Sequence, residues 1–126
     1  MSWQEYVDKN LVVPGKVLKG AIYSLGGDNM GQSKDFKITD SEAAALIKGF
    51  SDANAVRSVS PKVEGKKFIV VKVDERSLYA KEGTNGLCCV KTNSVVLIGY
   101  YDKTIQAGDA NKSVEALADY LIDQGS

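Results

Sequence analysis

The sequence contains no histidine, and its only two cysteines, Cys88 and Cys89, are adjacent. Without histidine the chain cannot form a Ser-His-Asp or Cys-His catalytic group, and it lacks the commonest zinc ligand. Neighbouring residues of a strand point to opposite faces, so we predict two buried free thiols rather than a disulfide. No other residue pattern marks a catalytic, cofactor or metal site. The sequence therefore indicates a protein that is not an enzyme and that holds neither a cofactor nor a metal.

Long apolar runs are also missing. Runs such as Val95–Ile98 are far too short to span a bilayer. The first eight residues are polar and acidic, unlike a secretory signal peptide. The 126 residues are 44% hydrophobic and 25% charged, which is typical of a globular protein with one core. We therefore expect a single domain over residues 1–126 in the cytoplasm.

The formal net charge is zero, but the charges are unevenly distributed along the chain. Residues 57–91 carry eight basic and four acidic side chains, a net charge of +4, and the remainder carries −4. This division favours an acidic protein or an anionic lipid as a partner. Nucleic acid is a weaker candidate, because the basic excess is small and the sequence pI is about 6.3. A merely solvated sheet surface would give the same pattern, and that alternative stays open.

Capping residues and turns define the elements of the first half of the chain. Ser2, with Glu5 as its capping-box partner, begins a helix over residues 2–12. Thr39 or Asp40 begins a second helix that runs to about Phe50. Strands are predicted at 17–25 and 30–33, with a turn at 26–29 and a loop at 51–55. The glycines of residues 26–31 loosely resemble a phosphate loop, but no Lys-Ser or Lys-Thr follows, so a hairpin explains them better.

Short β-rich runs separated by tight turns fill the second half. Five strands are predicted, at 56–63, 68–73, 77–81, 87–92 and 95–101. Connections this short require an antiparallel meander. Asn85-Gly86 is the clearest hairpin signal, and residues 68–71 are apolar on both faces, as expected for a central strand. A final amphipathic helix is predicted from near Ala110, with Asp109 as its N-cap.

Three aromatic residues lie in the helices at the two ends of the chain. Trp3, the only tryptophan, and Tyr6 belong to the first helix, and Tyr120 belongs to the last. If the fold brings these helices together, the three rings form a surface that we call the aromatic shelf. Such a shelf suits a proline-rich segment in the polyproline II conformation. Alternatively, Trp3 is a core residue and the tyrosines are scattered on the surface; periodicity alone does not decide.

The pieces described above resemble the profilin family, in order and over essentially the whole chain. The similar segments are Ser2–Asp8, Asp74–Tyr79 with Lys81 and Gly83, Val90–Thr92, Gly99–Tyr101 and Val114–Leu121. The likeness is greatest to the short profilins of amoeboid microbes. It implies an α/β (α+β) fold with a central antiparallel meander. The terminal helices pack together on one face of that sheet, and a further helix lies on the other.

The resemblance also implies a monomeric, cytoskeleton-associated protein that binds monomeric actin, proline-rich proteins and phosphoinositides, and that modulates actin nucleotide exchange and filament assembly. The implied proline-binding residues are Trp3, Tyr6, Met30, Tyr120 and Leu121. The implied actin-binding residues are Lys72, Arg76, Lys81, Lys91, Thr92, Ile105, Gln106, Gly108, Asn111 and Glu115. The phosphoinositide candidates are Lys67, Arg76 and Lys81.

The sequence departs from many relatives at two positions of the implied proline site. Met30 stands where many have tryptophan, and Ser126 stands where many have tyrosine or phenylalanine. Losing two aromatic platforms at roughly 0.5–1.5 kcal/mol each predicts about tenfold weaker proline binding. On the actin side, Glu82 replaces lysine and Ala107 replaces proline.

Two other functions remain as alternatives. An antiparallel sheet with packed helices can enclose an apolar cavity, as in a small-molecule sensor. The basic stretch would also suit a peripheral module that binds anionic lipid without actin affinity.

Overall fold

We describe residues 2–126 from a computed structural model of the chain. The first helix, α1, spans Trp3–Tyr6 and continues as a π-helical turn, Val7–Leu11. The other helices are α2 (Asp40–Gly49), α3 (Ala53–Val59) and α4 (Ala107–Asp123). The strands are β1 (Lys19–Ser24), β2 (Asn29–Gln32), β3 (Lys62–Val63), β4 (Lys66–Lys67), β5 (Ile69–Val73), β6 (Ser77–Glu82), β7 (Asn85–Lys91) and β8 (Val95–Tyr101).

A six-stranded antiparallel sheet organises the molecule. Its strand order is β2-β1-β8-β7-β6-β5, and β3 and β4 form a separate two-stranded hairpin. Strand β8 lies near the middle of the sheet and all seven of its residues are buried. The predicted antiparallel meander is therefore confirmed for β5 to β8, which pair in chain order.

The two faces of the sheet carry different helices. On one face, Val7 and Leu11 from the first helix and Leu117 and Leu121 from α4 share one hydrophobic cluster. On the other face, Leu46 of α2 and Val56 of α3 belong to a second cluster. The terminal helices thus share one face, as the resemblance implied. Cys88 faces the first cluster and Cys89 the second, and both are free thiols, which confirms the prediction for this pair.

The predicted capping box at Ser2 is present, and Thr39, one of the two predicted N-caps of α2, forms a second one. The Ser2 hydroxyl accepts a hydrogen bond from Glu5 N at 3.1 Å, and Glu5 Oε1 accepts from Ser2 N at 3.3 Å. Thr39 and Glu42 repeat the arrangement at the start of α2. The Glu42 carboxylate also accepts from the backbone N–H groups of Glu64 and Gly65, at 3.1 and 3.0 Å. The cap of α2 therefore also fastens the turn of the β3–β4 hairpin.

The prediction for residues 53–59 is wrong, although the end of the predicted strand is present as β3. In place of a loop and a strand beginning at Val56, the chain forms helix α3, which ends at Ser60 in a left-handed conformation. Asp52 caps this helix by accepting from Ala55 N at 3.2 Å. The β-branched residues suggested a strand, but Val56 is needed on the inward face of a helix, where it packs against α2. Tertiary packing outweighed the local β propensity.

Strand β5 is an edge strand, so the prediction that residues 68–71 form a central strand is also wrong. Val70 points into the core and is buried, whereas the neighbouring residue Ile69 is 69% exposed to solvent. Phe68 precedes the strand and packs edge-on against Tyr100, with ring centroids 6.4 Å apart. The apolar residues on the outward side are therefore not covered by a helix.

The Asn85-Gly86 pair does not form the β6–β7 turn. Both residues lie in β7, and the positive φ of the turn belongs to Gly83, at 61°. Gly86 is required for a different reason, because the Tyr101 ring passes over it. A Cβ at this position would lie 2.1 Å from Tyr101 Cζ. The sequence pattern therefore singled out Gly86 as a turn residue, but its lack of a side chain is needed because the Tyr101 ring packs directly against it.

Helix α4 begins earlier than predicted. Its first residue is Ala107 and its N-cap is Gln106, whose side chain makes no capping hydrogen bond. Asp109 lies inside the first turn, where a carboxylate interacts favourably with the helix dipole. None of the helices described in residues 2–126 combines the length and hydrophobicity that crossing a membrane would need.

Candidate binding surfaces

Trp3 and Tyr6 form the part of the aromatic shelf that comes from α1. Their ring centroids are 5.5 Å apart and the ring planes are tilted by 41°. Both rings are half-buried and pack against the cluster shared by the terminal helices. Each ring therefore has one side fixed by the core and another side open to solvent. Stiff, partly exposed aromatic rings present contact area at little entropic cost.

Tyr120 supplies the exposed ring of α4. It is 51% exposed, whereas the adjacent Leu121 is 1% exposed and belongs to the shared core. Leu121 thus anchors this turn of α4 and does not reach the surface as the proline-site prediction supposed. The same cluster joins the last turns of α4 to α1, so the structure brings the helices that carry the aromatic shelf together.

Met30 lies on β2, the edge strand beside α1. It is the extra residue of a β-bulge, because Ile22 pairs with Gly31 and Tyr23 pairs with Asn29. A bulge redirects the side chain that it carries. Met30 is 38% exposed, so it offers an accessible thioether at the edge of the sheet that α1 contacts.

Gln4 joins α1 to β2, and sequence reasoning missed it. Its Nε2 donates to the carbonyl of Gln32 at 3.0 Å, and its Oε1 accepts from Gln32 N at 3.0 Å. The Asp8 carboxylate accepts from the same Nε2 at 3.2 Å. We call this arrangement the Gln4 clasp. The side-chain amide completes both backbone hydrogen bonds of an edge-strand residue, which no spacing rule would have indicated.

A polar network joins β6 to α4 on the surface implied for actin. Glu115 accepts from Arg76 Nε at 3.0 Å, from the Ser77 hydroxyl at 2.6 Å and from the Tyr79 hydroxyl. Arg76 Nη2 also donates to Asp119 Oδ1 at 2.7 Å. Arg76 and Glu115 are therefore already paired within the molecule. The sequence had suggested both as partner contacts and had given no role to Ser77, Tyr79 or Asp119.

These contacts shift the acidity of the network. Burial alone would raise the pKa of Glu115, but the hydrogen bonds from Ser77, Tyr79 and Arg76 outweigh it and lower the pKa. The hydrogen bond to Asp119 is the largest cause that raises the pKa of Arg76. Burial, followed by the Glu115 contact, raises the pKa of the Tyr79 hydroxyl. The network is thus held together by a charged Glu115.

The remaining lysines of this surface are more available. Lys72 Nζ lies 5.0 Å from the centre of the Tyr79 ring and 3.6 Å from Asp74 Oδ2. Lys81 Nζ lies 5.7 Å from the centre of the Tyr101 ring. Lys91 is half-buried at the end of β7. We call these three lysines and Arg76 together the basic face, although they do not all lie on one side of the sheet. Lys72 and Lys81 lie on the same side as Tyr79, whereas Lys91 lines a cleft beside the β5–β6 turn.

Lys67 lies apart, on the β3–β4 hairpin. It is exposed and pairs across the hairpin with Lys62, which is also exposed. Two like charges directly opposite one another disfavour the pairing. The hairpin therefore presents basic side chains at some cost to its own stability.

The predicted residues around the start of α4 differ in exposure. Gln106 and Gly108 are exposed, whereas Ile105 is 7% exposed and buried. The Oδ1 of Asn111 is buried and has no hydrogen-bond partner within residues 2–126. Thr92 is buried, and its hydroxyl stabilises the β7–β8 turn by accepting from Val95 N at 3.1 Å. Ile105 and Thr92 therefore support this surface from beneath.

The clefts of the molecule give little support to a small-molecule site. One cleft, of about 500 Å³, opens between the α2–α3 connection, the β5–β6 turn and the end of β7. Its lining includes the charged residues Asp74, Glu75 and Lys91. Within residues 2–126, no group of His, Cys, Asp or Glu side chains is arranged to hold a metal ion.

Comparisons with known proteins agree on one family. The sequence model of the Profilin family matches residues 1–126. The chain is 44% identical to Profilin-2 of Acanthamoeba castellanii and 44% identical to Profilin-A of Physarum polycephalum, each over 99% of both chains. It superposes on the crystal structure of Acanthamoeba castellanii profilin II with a TM-score of 0.94 and 43% identity, covering 99% of this chain and 100% of that one.

Two solved complexes share the fold at lower identity. One is mouse profilin IIa with a double repeat from the FH1 domain of mDia1, with a TM-score of 0.78, 22% identity and full coverage of both chains. The other is LokiProfilin1 with rabbit actin, with a TM-score of 0.73 and 18% identity over 94% of this chain and 92% of that one. Together with the match over its whole length, the shared placement of both terminal helices on one face of the sheet shows that this chain belongs to the profilin family.

Proposed function

We propose that this protein is a non-enzymatic regulator of actin assembly that binds monomeric actin at one surface and proline-rich segments at another. Profilins are non-enzymatic actin-binding proteins, and the family match covers the whole chain, which is the observation that carries the proposal. The two complexes of the same fold, with actin and with an FH1 repeat, support the two partners. A cytoplasmic, cytoskeleton-associated location follows from the same proposal.

The proline-rich segment binds at the aromatic shelf, with Met30 at its border. Trp3, Tyr6 and Tyr120 offer open ring faces to proline rings. A polyproline II helix has unpaired carbonyls, which the Trp3 N–H and the tyrosine hydroxyls can satisfy. The flexible, polarizable Met30 side chain can still pack against proline, but unlike tryptophan it offers neither a flat ring face nor an N–H group. Leu121 supports the shelf from the core.

Trp3 fluorescence tests the proline site directly, because Trp3 is the only tryptophan. Titration with polyproline should change the emission of the wild-type protein at up to millimolar segment concentration. Tyr120→Ala should weaken binding about three- to tenfold, because it removes one aromatic platform. Tyr120→Phe keeps the ring and serves as the matched control, with a smaller loss. An unchanged wild-type spectrum, or equal affinity for Tyr120→Ala, would contradict the assignment.

The actin monomer binds at the basic face and at the start of α4. Lys72, Lys81 and Lys91 provide positive charge, and complementary charge speeds the encounter with an acidic partner. Gln106, Gly108 and Asn111 extend the surface onto α4. The desolvated apolar centre comes from Ile69, which is exposed and lies directly opposite Lys81, rather than from the buried Ile105. Arg76 and Glu115 act mainly by fixing β6 to α4, with Thr92 holding the turn beside Lys91.

The effect on actin is a shift of population. A partner that binds the open form of the nucleotide cleft more tightly increases the open fraction and so accelerates nucleotide exchange. Covering one face of the monomer also blocks its addition at one filament end while permitting the other. Neither effect requires a chemical step by the protein.

Phosphoinositide binding is an electrostatic part of the same proposal. Lys67 and Lys81 are the residues available for an anionic headgroup, whereas Arg76 is paired with Glu115 and Asp119. Basic residues near an anionic membrane contribute about 1 kcal/mol each. Cosedimentation with phosphoinositide vesicles should be lost in about half-molar salt, because such contacts are screened. Vesicle binding without any capture of actin would instead favour a peripheral lipid-binding module.

A further inference from the structure

We propose that Gln4 is a positioning residue for proline recognition: the Gln4 clasp holds edge strand β2 against α1 and so fixes Met30 relative to Trp3 and Tyr6. This inference rests on the proposed proline site. It concerns a residue that need not touch the ligand. Gln4 lies between Trp3 and Tyr6 in the sequence. One turn of α1 therefore carries both the two aromatic rings of the shelf and the contact to β2.

The hydrogen bonds of the clasp are mutually consistent. The Gln4 amide donates to one backbone group of Gln32 and accepts from the other, both at 3.0 Å. Asp8, four residues further along the same helix, accepts from the same Nε2. This places the nitrogen toward Asp8 and the oxygen toward Gln32 N. The amide therefore acts as one more rung of the sheet ladder at an otherwise open edge.

Gly31 makes the close approach of helix and strand possible. A Cβ at Gly31 would lie 3.0 Å from Gln4 Cα and 3.1 Å from Gln4 N. Both are backbone atoms, so the contact cannot be relieved by rotating a side chain. Any larger residue would move β2 away from α1 and lengthen both clasp hydrogen bonds. The contact between α1 and β2 thus depends on both residues: Gly31 leaves room for the helix backbone, and Gln4 supplies the hydrogen bonds.

The clasp matters for the ligand because it lies between the two parts of the surface. Trp3 and Tyr6 flank Gln4 on α1, and Met30 immediately precedes Gly31 on β2. Strand β2 has four residues, is interrupted by the bulge and pairs with β1 on one side only. A short edge strand of this kind has few contacts of its own to hold it in place. Without the clasp, Met30 would sample positions that no longer match the rings.

The test measures polyproline affinity by Trp3 fluorescence for Gln4→Ala, with Asn10→Ala as the matched control. Asn10 is exposed on the same helical segment and makes no side-chain hydrogen bond within residues 2–126. Gln4→Ala should weaken binding about fivefold, whereas Asn10→Ala should change it by less than about twofold. Capture of actin monomers should stay within about twofold for both variants, because the basic face is on other strands.

A double-mutant cycle with Met30→Ala separates positioning from general destabilisation. If Gln4 acts by placing Met30, Gln4→Ala should cost much less affinity in the Met30→Ala background than in the wild type. A merely structural role would give equal losses in both backgrounds. Gly31→Ala provides a second route to the same result, with a loss like that of Gln4→Ala. All measurements are made well below each variant's unfolding temperature, so that the protein is folded.

The outcomes distinguish this inference from the proposed function. If the wild-type protein fails to bind polyproline, the proposed proline site itself is wrong. If the wild-type protein binds and Gln4→Ala binds equally well, the positioning role of Gln4 is overturned. Equal losses in the two Met30 backgrounds would overturn it as well.

Discussion

At the scale of single residues, Glu115 makes the most side-chain hydrogen bonds in the polar network that joins β6 to α4. It is 24% exposed and accepts hydrogen bonds from three side chains of β6 and of the turn before it. The family resemblance suggested it as a contact residue, but its oxygens already have partners inside the molecule. A charged group in such a position stabilises the fold only as long as it stays ionised.

We expect Glu115→Gln to lower the free energy of unfolding by about 1–3 kcal/mol at pH 7, because hydrogen bonds to a charged acceptor are lost. Urea unfolding measures this. Glu75→Gln, which alters an exposed residue of the β5–β6 turn, is the control and should have little effect. A loss no larger than that of the control would mean that the network does not hold β6 to α4.

The same network gives the stability a defined pH dependence. The pKa of Glu115 is lower in the folded than in the unfolded protein, so the unfolded state binds its proton first as the pH falls. The stabilisation is therefore complete above the unfolded value of about 4.5 and is lost as the pH falls through the folded value. The stability difference between wild type and Glu115→Gln should shrink as the pH falls below about 4.5. A difference that is constant down to pH 3 would contradict the ionised state of Glu115.

Gly86 is a second residue with a sharp prediction. Gly86→Ala should destabilise the protein by about 1–3 kcal/mol or more, because its Cβ would overlap the Tyr101 ring. Thermal and urea unfolding measure the loss. Gly108→Ala is the control, since a Cβ there meets no atom within 4 Å. Combining Gly86→Ala with Tyr101→Leu should recover part of the loss if the ring is its cause, and no recovery would point to another cause.

At the scale of elements, the patterns that predicted correctly were those with a local physical cause. The capping box at Ser2, a cap at Thr39 or Asp40 and the amphipathic repeat of α4 each depend on neighbouring residues, and each was found, with Thr39 as the cap. Helix α3 and the edge position of β5 depend on packing with distant parts of the chain. Val56 has the β propensity of a strand residue, but in the structure it lies on the inward face of a helix, where it packs against α2. Similarly, the Gln4 clasp joins residues 28 positions apart.

The edge position of β5 predicts opposite behaviour for adjacent residues. Ile69→Thr should change the free energy of unfolding by no more than about 0.5 kcal/mol, because Ile69 is exposed. Val70→Thr should cost about 1–2 kcal/mol, because Val70 points into the core and a hydroxyl would be buried there. Urea unfolding of both variants measures this contrast. If Ile69 is the apolar centre of the actin surface, Ile69→Thr should also weaken actin capture. A strongly destabilised Ile69→Thr would place β5 inside the sheet.

At the scale of the whole molecule, the account depends on two surfaces at different places on one sheet. The aromatic shelf lies on the terminal helices, of which α1 contacts edge strand β2, and Lys72, Arg76 and Lys81 of the basic face lie toward β5 and β6 at the opposite edge. Under the proposed function, we expect the protein to hold a proline-rich segment and an actin monomer at the same time. The unequal division of charge along the sequence supports the same separation, since the positive stretch, residues 57–91, includes β5 and β6 at the edge of the sheet opposite β2.

The most direct measurement is capture of purified monomeric actin on polyproline resin loaded with this protein. Wild-type protein should retain actin on the resin, and unloaded resin should not. Lys91→Glu should stay bound to the resin but retain much less actin, because the charge is reversed only on the basic face. If loaded resin retains no actin, or if Lys91→Glu also fails to bind the resin while remaining folded, the two-surface account is contradicted.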